Sequence, residues 1–213
     1  MMDAVVKKLL REAGRTYAEE AGVVVKDQPP ALFKLLVLSS LLSSRIPADI
    51  AVASARELFA AGGGTARGLA RMSWQDLVDA LGRDRCMRHD ESAPTRLSDT
   101  AELAQHKYDG DLRRLARDSG RDRVRAAELL QEFPGFGPAG VDAFCREAQA
   151  IWPWLRPYFD EQARAGAERL GLPTDPKRLA DLVPDKDLAR FAVALVRVRH
   201  DEKLADAIVK NGK

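Results

Sequence analysis

Residues 133 to 140 read "FPGFGPAG", with helix-forming sequence on both sides. The stretch before them, "DRVRAAELLQEF", is amphipathic, and a second helix is expected over about 139–150. Glycine tolerates backbone angles closed to other residues, so two glycines around one apolar residue let the chain reverse within a few residues. Gly135 and Gly137 both permit positive φ, and Pro134 and Pro138 stiffen the two sides. The segment therefore commits the chain to a helix-hairpin-helix. A turn this lean leaves backbone N–H groups uncovered at the start of the second helix, where a phosphate oxygen is favoured. Such a hairpin holds a nucleic-acid backbone without reading its sequence. The competing reading is a glycine-rich connector with no ligand.

The rest of the chain is helical in pattern, and no stretch alternates convincingly with period 2. One helix is expected over 3–21, and another from Pro29-Pro30 to about Ser44. A third starts at Pro47 and ends in the run Gly62-Gly63-Gly64, and Ser73 has the place of an N-cap. Residues 83–95 read as a polar connection, and ten or eleven helices are expected in all. The 213 residues carry 34 basic and 32 acidic side chains, a net charge of +2. That excludes a uniformly basic nucleic-acid binder but not a local basic face. The longest apolar run, 35–42, is too short to span a bilayer. No signal-like apolar region follows Asp3, so a cytoplasmic, nucleoid-associated protein is expected, with no membrane partner. The two cysteines, Cys86 and Cys145, form no CxxC, so no zinc or four-cysteine cluster and no other metal site is expected.

Farther on, "RPYFDEQARAGAERLGLP" places Asp160 at the N-cap of a helix, just after Pro157. Capping alone would account for Asp160. Trp152 and Trp154 lie between the hairpin and Asp160, and each suits either a core or a stacking surface. Arg45, in "SSRIPAD", suits a salt bridge or a solvated helix end. His89 sits in the polar connection, and His106 and His200 make no metal-ligand spacing with it.

"FPGFGPAG" followed by "YFDEQARAGAERLG" resembles the helix-hairpin-helix, Gly/Pro and aspartate signature of the endonuclease III superfamily of DNA glycosylases. The family hairpin has the form Leu-Pro-Gly-Val-Gly-Arg-Lys-Thr-Ala. Phe133, Pro134, Gly135, Phe136 and Gly137 match it, and Asp160 matches the family's aspartate. "LSSLLSSRIPADIAVASARELF" is similar to a further family segment, so the resemblance covers about residues 28–200. The departures are specific. Ala139 stands where bifunctional members have a lysine, and no cysteine follows Cys145 to build the iron–sulfur loop. Arg45 aligns with the glutamine that fills the gap left by an extruded base.

The resemblance implies an all-α, two-lobed fold, with 27–153 as one lobe, 1–26 plus 154–213 as the other, and an active-site cleft between them. It implies a monofunctional glycosylase of base excision repair, acting as a monomer on double-stranded DNA that contains a damaged base. The base leaves the stack, and Asp160 stabilises positive charge on the sugar while water attacks. Pro134, Gly135, Phe136, Gly137, Ala139, Gly140 and Arg45 would contact DNA, and Trp152, Trp154 and His89 would line the base pocket. No iron–sulfur cluster is implied, while a monovalent cation at the hairpin is compatible. The damaged base stays unassigned. The alternative is a non-catalytic helix-hairpin-helix DNA-binding protein, and a third reading is a helical interaction protein that binds no DNA.

Overall fold

The computed structural model describes residues 2–82, 86 and 90–210. Among these the chain is all-α, with no strand. It divides into two compact units. One comprises Met1–Tyr17 and Cys145–Lys213, and the other Ala18–Phe144. No helix among the described residues is long and apolar enough to cross a membrane.

The Ala18–Phe144 unit is built on helix α3 (Pro29–Leu42), which follows α1 (Met2–Ala13) and α2 (Tyr17–Glu20). Leu32, Phe33, Leu35, Leu36, Leu38 and Leu41 are all fully buried, so α3 is apolar around most of its circumference. Helix α4 (Ala48–Leu58) packs against it, α6 (Trp74–Leu81) against α4, and α7 (Ala93–Tyr108) against both α6 and α5 (Ala66–Ala70). Pro47 precedes α4, and a wider π-type turn over Phe59–Gly63 carries its end into the glycine run. Ser73 caps α6 in a reciprocal pair with Asp76, as its position in the sequence predicts. Helices α8 (Arg113–Asp118) and α9 (Arg123–Gln131) lead to the hairpin and α10 (Pro138–Ala148).

In the other unit, α13 (Leu188–His200) is the central element. Its Leu188, Phe191, Ala192 and Leu195 join one core with Val5 and Leu9 of α1 and with Ala163 and Ala167 of α11 (Glu161–Arg169). Ile208 of α14 (Glu202–Lys210) closes that core, and α12 (Pro176–Ala180) adds Leu179. Gly166 allows the close crossing of α11 and α13: a Cβ there would stand 1.9 Å from the Leu195 carbonyl oxygen.

The helix expected over 3–21 is two helices. Gly14, a weak helix former, follows Ala13. The carbonyls exposed at the break accept from α13: Arg190 Nε donates to Gly14 at 3.0 Å and an Arg197 amino group to Arg15 at 3.2 Å. The Tyr17 amide donates to Glu147 at 3.1 Å, and the Arg197 guanidinium lies over the Tyr17 ring. Tertiary partners thus replace the helical hydrogen bonds that the sequence pattern predicted.

Candidate functional site

Helix α9 starts at Asp122, whose side chain caps it by accepting from the Arg125 amide at 2.8 Å. The turn that follows is anchored from below. Phe133 and Phe136 are buried, packed edge to face with centroids 6.5 Å apart, and Tyr108 lies against Phe133. Phe136 is 2% exposed. Of the expected DNA contacts it therefore supplies the anchor of the turn and not a side chain at the surface. Gly140 makes room for that anchor, since a Cβ there would come within 3.1 Å of the Phe136 ring.

The two signature glycines serve different ends. Gly135 has φ +70°, the left-handed region that favours glycine. Gly137 does not use the positive φ that glycine permits. A Cβ on Gly137 would meet nothing within 4 Å. The fold does not require glycine at 137, and what its missing side chain leaves is open space above the turn. Gly135, Pro138 and Ala139 are exposed, while Pro134 and Gly137 are half-buried.

The Phe136 amide closes the turn onto the Phe133 carbonyl at 3.0 Å, and Gly140 and Val141 donate to the Gly137 carbonyl. The amides of Gly135, Gly137 and Ala139 have no acceptor among the described residues. Three donors thus stand at the start of the 11-residue helix α10, where the helix dipole also favours an anion.

Arg45 belongs to the same unit. It is exposed, follows the end of α3 and precedes the buried Ile46. Its neighbour Ser44 accepts from an Arg96 amino group at 2.8 Å. Arg96 also pairs with Asp90 at 2.6 Å and bonds Ser92 at 3.0 Å. Burial would raise the Asp90 carboxyl, but hydrogen bonds from Arg96 and Ser92 outweigh it and hold the pKa at about 2. Nearby Cys86 is buried, and burial and Asp90 push its thiol up to about 11, so it is no thiolate at neutral pH.

Asp160, Trp152 and Trp154 belong to the other unit. Asp160 is the N-cap of α11, as its position predicts, and Oδ1 accepts from the Gln162 and Ala163 amides at 2.9 and 3.2 Å. Oδ2 accepts from Arg146 Nε at 2.7 Å. The two side chains are only 1% and 6% exposed. Burial acts to lower the Arg146 pKa, but Asp160 more than offsets it and the net shift is upward, so the guanidinium stays charged. At the other end of α13, His200 Nε2 meets Gln162 Oε1 at 2.5 Å, and burial with the charges of Arg199 and Arg146 lowers its pKa. Trp152 is buried, and the half-buried Trp154 stacks on it at 5.3 Å. One face of Trp152 is therefore already covered by its neighbour. His89 lies outside the described residues.

No family model and no curated protein matches this chain. Among solved structures it is similar to a trapped endonuclease III–DNA covalent intermediate, the estranged-adenine complex. Identity is 17% over 89% of this chain and 84% of that one, with a TM-score of 0.48.

The cysteine content does not fit an iron–sulfur cluster of the four-cysteine kind, because the sequence has two cysteines and both are buried. Sequence reasoning missed Arg146, Arg96 and Asp90. Arg146 sits in "VDAFCREAQA" beside Glu147 and four residues after Asp142, so nothing in that stretch marks Asp160 as its partner.

Proposed function

We propose that this chain binds the backbone of duplex DNA through the 133–140 hairpin and acts there as a monofunctional DNA glycosylase. The observation that carries the binding half is the set of three unengaged amides, on Gly135, Gly137 and Ala139, around an open surface at a helix start. Phosphate is the anion this geometry suits. It is a sequence-independent grip that needs little net charge.

In the catalytic half, Asp160 is the carboxylate that would face the sugar as positive charge develops there. Ala139 offers no amine, so water is the nucleophile and no imine forms. The sequence resemblance supports this assignment, and the unshielded hairpin is consistent with a DNA substrate. The base would be drawn out of the stack before its glycosidic bond is broken. Chemistry at Asp160 requires Arg146 to give up Oδ2, because a paired carboxylate is a poor stabiliser of a second cation.

A second reading is favoured by that same pair. With Oδ1 capping α11 and Oδ2 held by Arg146, Asp160 has a complete structural role. The chain would then be a helix-hairpin-helix DNA-binding protein without glycosylase activity. A panel of duplexes, each with one lesion (uracil, hypoxanthine or an alkylated purine), separates the two. Release of a free base from any of them supports the glycosylase. Salt-sensitive binding to all of them with no base released supports the second reading, and no binding at all overturns both.

A further inference from the structure

Arg96 touches two features that the sequence treats separately. Its aliphatic stem lies against the hairpin: a Cβ on Gly135 would stand 2.1 Å from Arg96 Cδ. Its guanidinium reaches Ser44 Oγ, the residue before Arg45, at 2.8 Å. One arginine side chain therefore spans from the hairpin turn to the loop that carries Arg45. The spanning group is itself fixed. Asp90 takes it from the far side through both oxygens, at 2.6 and 3.4 Å, and Ser92 Oγ accepts from it at 3.0 Å. The Arg96 and Asp90 side chains are 15% and 12% exposed, so this is a shielded pair and not a mobile surface one.

We infer that Arg96 is a positioning residue that registers Arg45 against the hairpin, so that both meet one duplex as a single surface. The inference rests on the DNA-binding reading. The three hairpin amides take one phosphate region, and the Arg45 guanidinium, exposed and without a partner among the described residues, takes a neighbouring part of the same duplex. Lysine cannot replace Arg96, because a single ammonium does not hold Asp90 and Ser44 in the fork geometry. Gly135 belongs to the same device: any side chain there displaces the Arg96 stem as well as straining the turn.

The test is a double-mutant cycle on the full chain, read by fluorescence anisotropy with a short labelled duplex of arbitrary sequence at several salt concentrations. In the unaltered background, Arg45→Ala is expected to weaken binding about fivefold and to reduce the salt slope by about one. In the Arg96→Met background the same change is expected to matter by less than about twofold. Ser44→Ala removes the hydroxyl that Arg96 reaches, along with its bond to the Ser40 carbonyl, and leaves the direct Arg96–Asp90 pair in place, so it serves if Arg96→Met fails to fold. It is expected to shrink the Arg45 effect in the same way with little change in melting temperature. An Arg45 effect of equal size in all backgrounds, or none in the unaltered chain, overturns the positioning role. If Gly137→Val still lowers affinity roughly tenfold in that case, the hairpin reading stands. No duplex binding by the unaltered chain overturns the DNA-binding reading and this inference together.

Discussion

Arg146 and Asp160 close a buried ion pair within one unit, and each of the two Asp160 oxygens has a different duty. Oδ1 holds the first turn of α11 and Oδ2 neutralises Arg146. Asp160→Asn therefore is not a clean removal of charge. It keeps the cap but leaves a buried guanidinium without its counter-charge, which costs about 3 kcal/mol or more. For a chain of this size that lowers the melting temperature by roughly 6 to 12 °C. Thermal unfolding followed by circular dichroism checks this. The double variant Arg146→Met with Asp160→Asn should recover most of the loss. An Asp160→Asn protein as stable as the original would show that the pair contributes nothing net.

Gly137 separates binding from folding. Its φ is not positive and its Cβ direction is open, so Gly137→Ala and Gly137→Val should change stability by less than about 1 kcal/mol. A side chain there occupies the space a phosphate would use, so duplex affinity should fall roughly tenfold for valine, equally for unrelated sequences. Unchanged affinity in a folded Gly137→Val protein would remove the hairpin from the DNA-binding surface.

Gly166 is the opposite case. A methyl group there would stand 1.9 Å from the Leu195 carbonyl oxygen, and both partners belong to packed helices that cannot yield locally. Gly166→Ala should cost about 3 kcal/mol despite the better helix propensity of alanine. Because α11 begins at Asp160, the same change should also disturb the Arg146 contact. A neutral or stabilising result in chemical denaturation would contradict the crossing described for α11 and α13.

The helical class, the hairpin and the Asp160 cap were legible because each is written locally. Glycine and proline spacing and an aspartate at a helix start need no distant partner to be read. What was not legible depends on contacts between residues far apart in sequence. The break after Ala13 is stabilised by Arg190 and Arg197. The confinement of Asp160 comes from Arg146 on another helix. The different roles of Gly135 and Gly137 follow from φ and from the Arg96 stem, neither of which a Gly-x-Gly spacing encodes. Phe136 reads as part of a binding motif, whereas its ring is drawn under the turn by Phe133 and by the space Gly140 leaves.

Asp90 gives a pH signature in the Ala18–Phe144 unit. Its folded pKa of about 2 lies below the ordinary 3.8, so its pairing with Arg96 adds stability that is fully present above about pH 4. That contribution is lost as the pH falls from about 4 toward 2, since the unfolded chain takes up the proton first. Asp90→Asn should lower stability at pH 7 and flatten the fall between pH 4 and 2. Urea midpoints for both proteins across that range provide the measurement. Parallel curves would mean that the Asp90 carboxylate is not held by Arg96.

Under the proposed glycosylase reading, Ala139 separates water from an enzyme amine as the nucleophile. It is exposed at the start of α10, where it offers a methyl group and a backbone amide and no side-chain amine. The next basic residue along the helix, Arg146, is buried, charged and committed to Asp160, so it cannot form an imine. Borohydride added during a reaction with lesion-bearing duplex reduces any imine to a permanent link between protein and DNA. No such adduct is expected, whether the chain releases the base or only binds. Ala139→Lys places an amine beside the open amides of Gly135 and Gly137, and weak trapping on a duplex with an abasic site is expected from it. Efficient trapping by the unaltered protein, seen as a slow band in a denaturing gel, would put the nucleophile on another lysine or the N-terminal amine. That result would overturn the monofunctional assignment while leaving the hairpin's part in binding to be judged on the Gly137 variants alone.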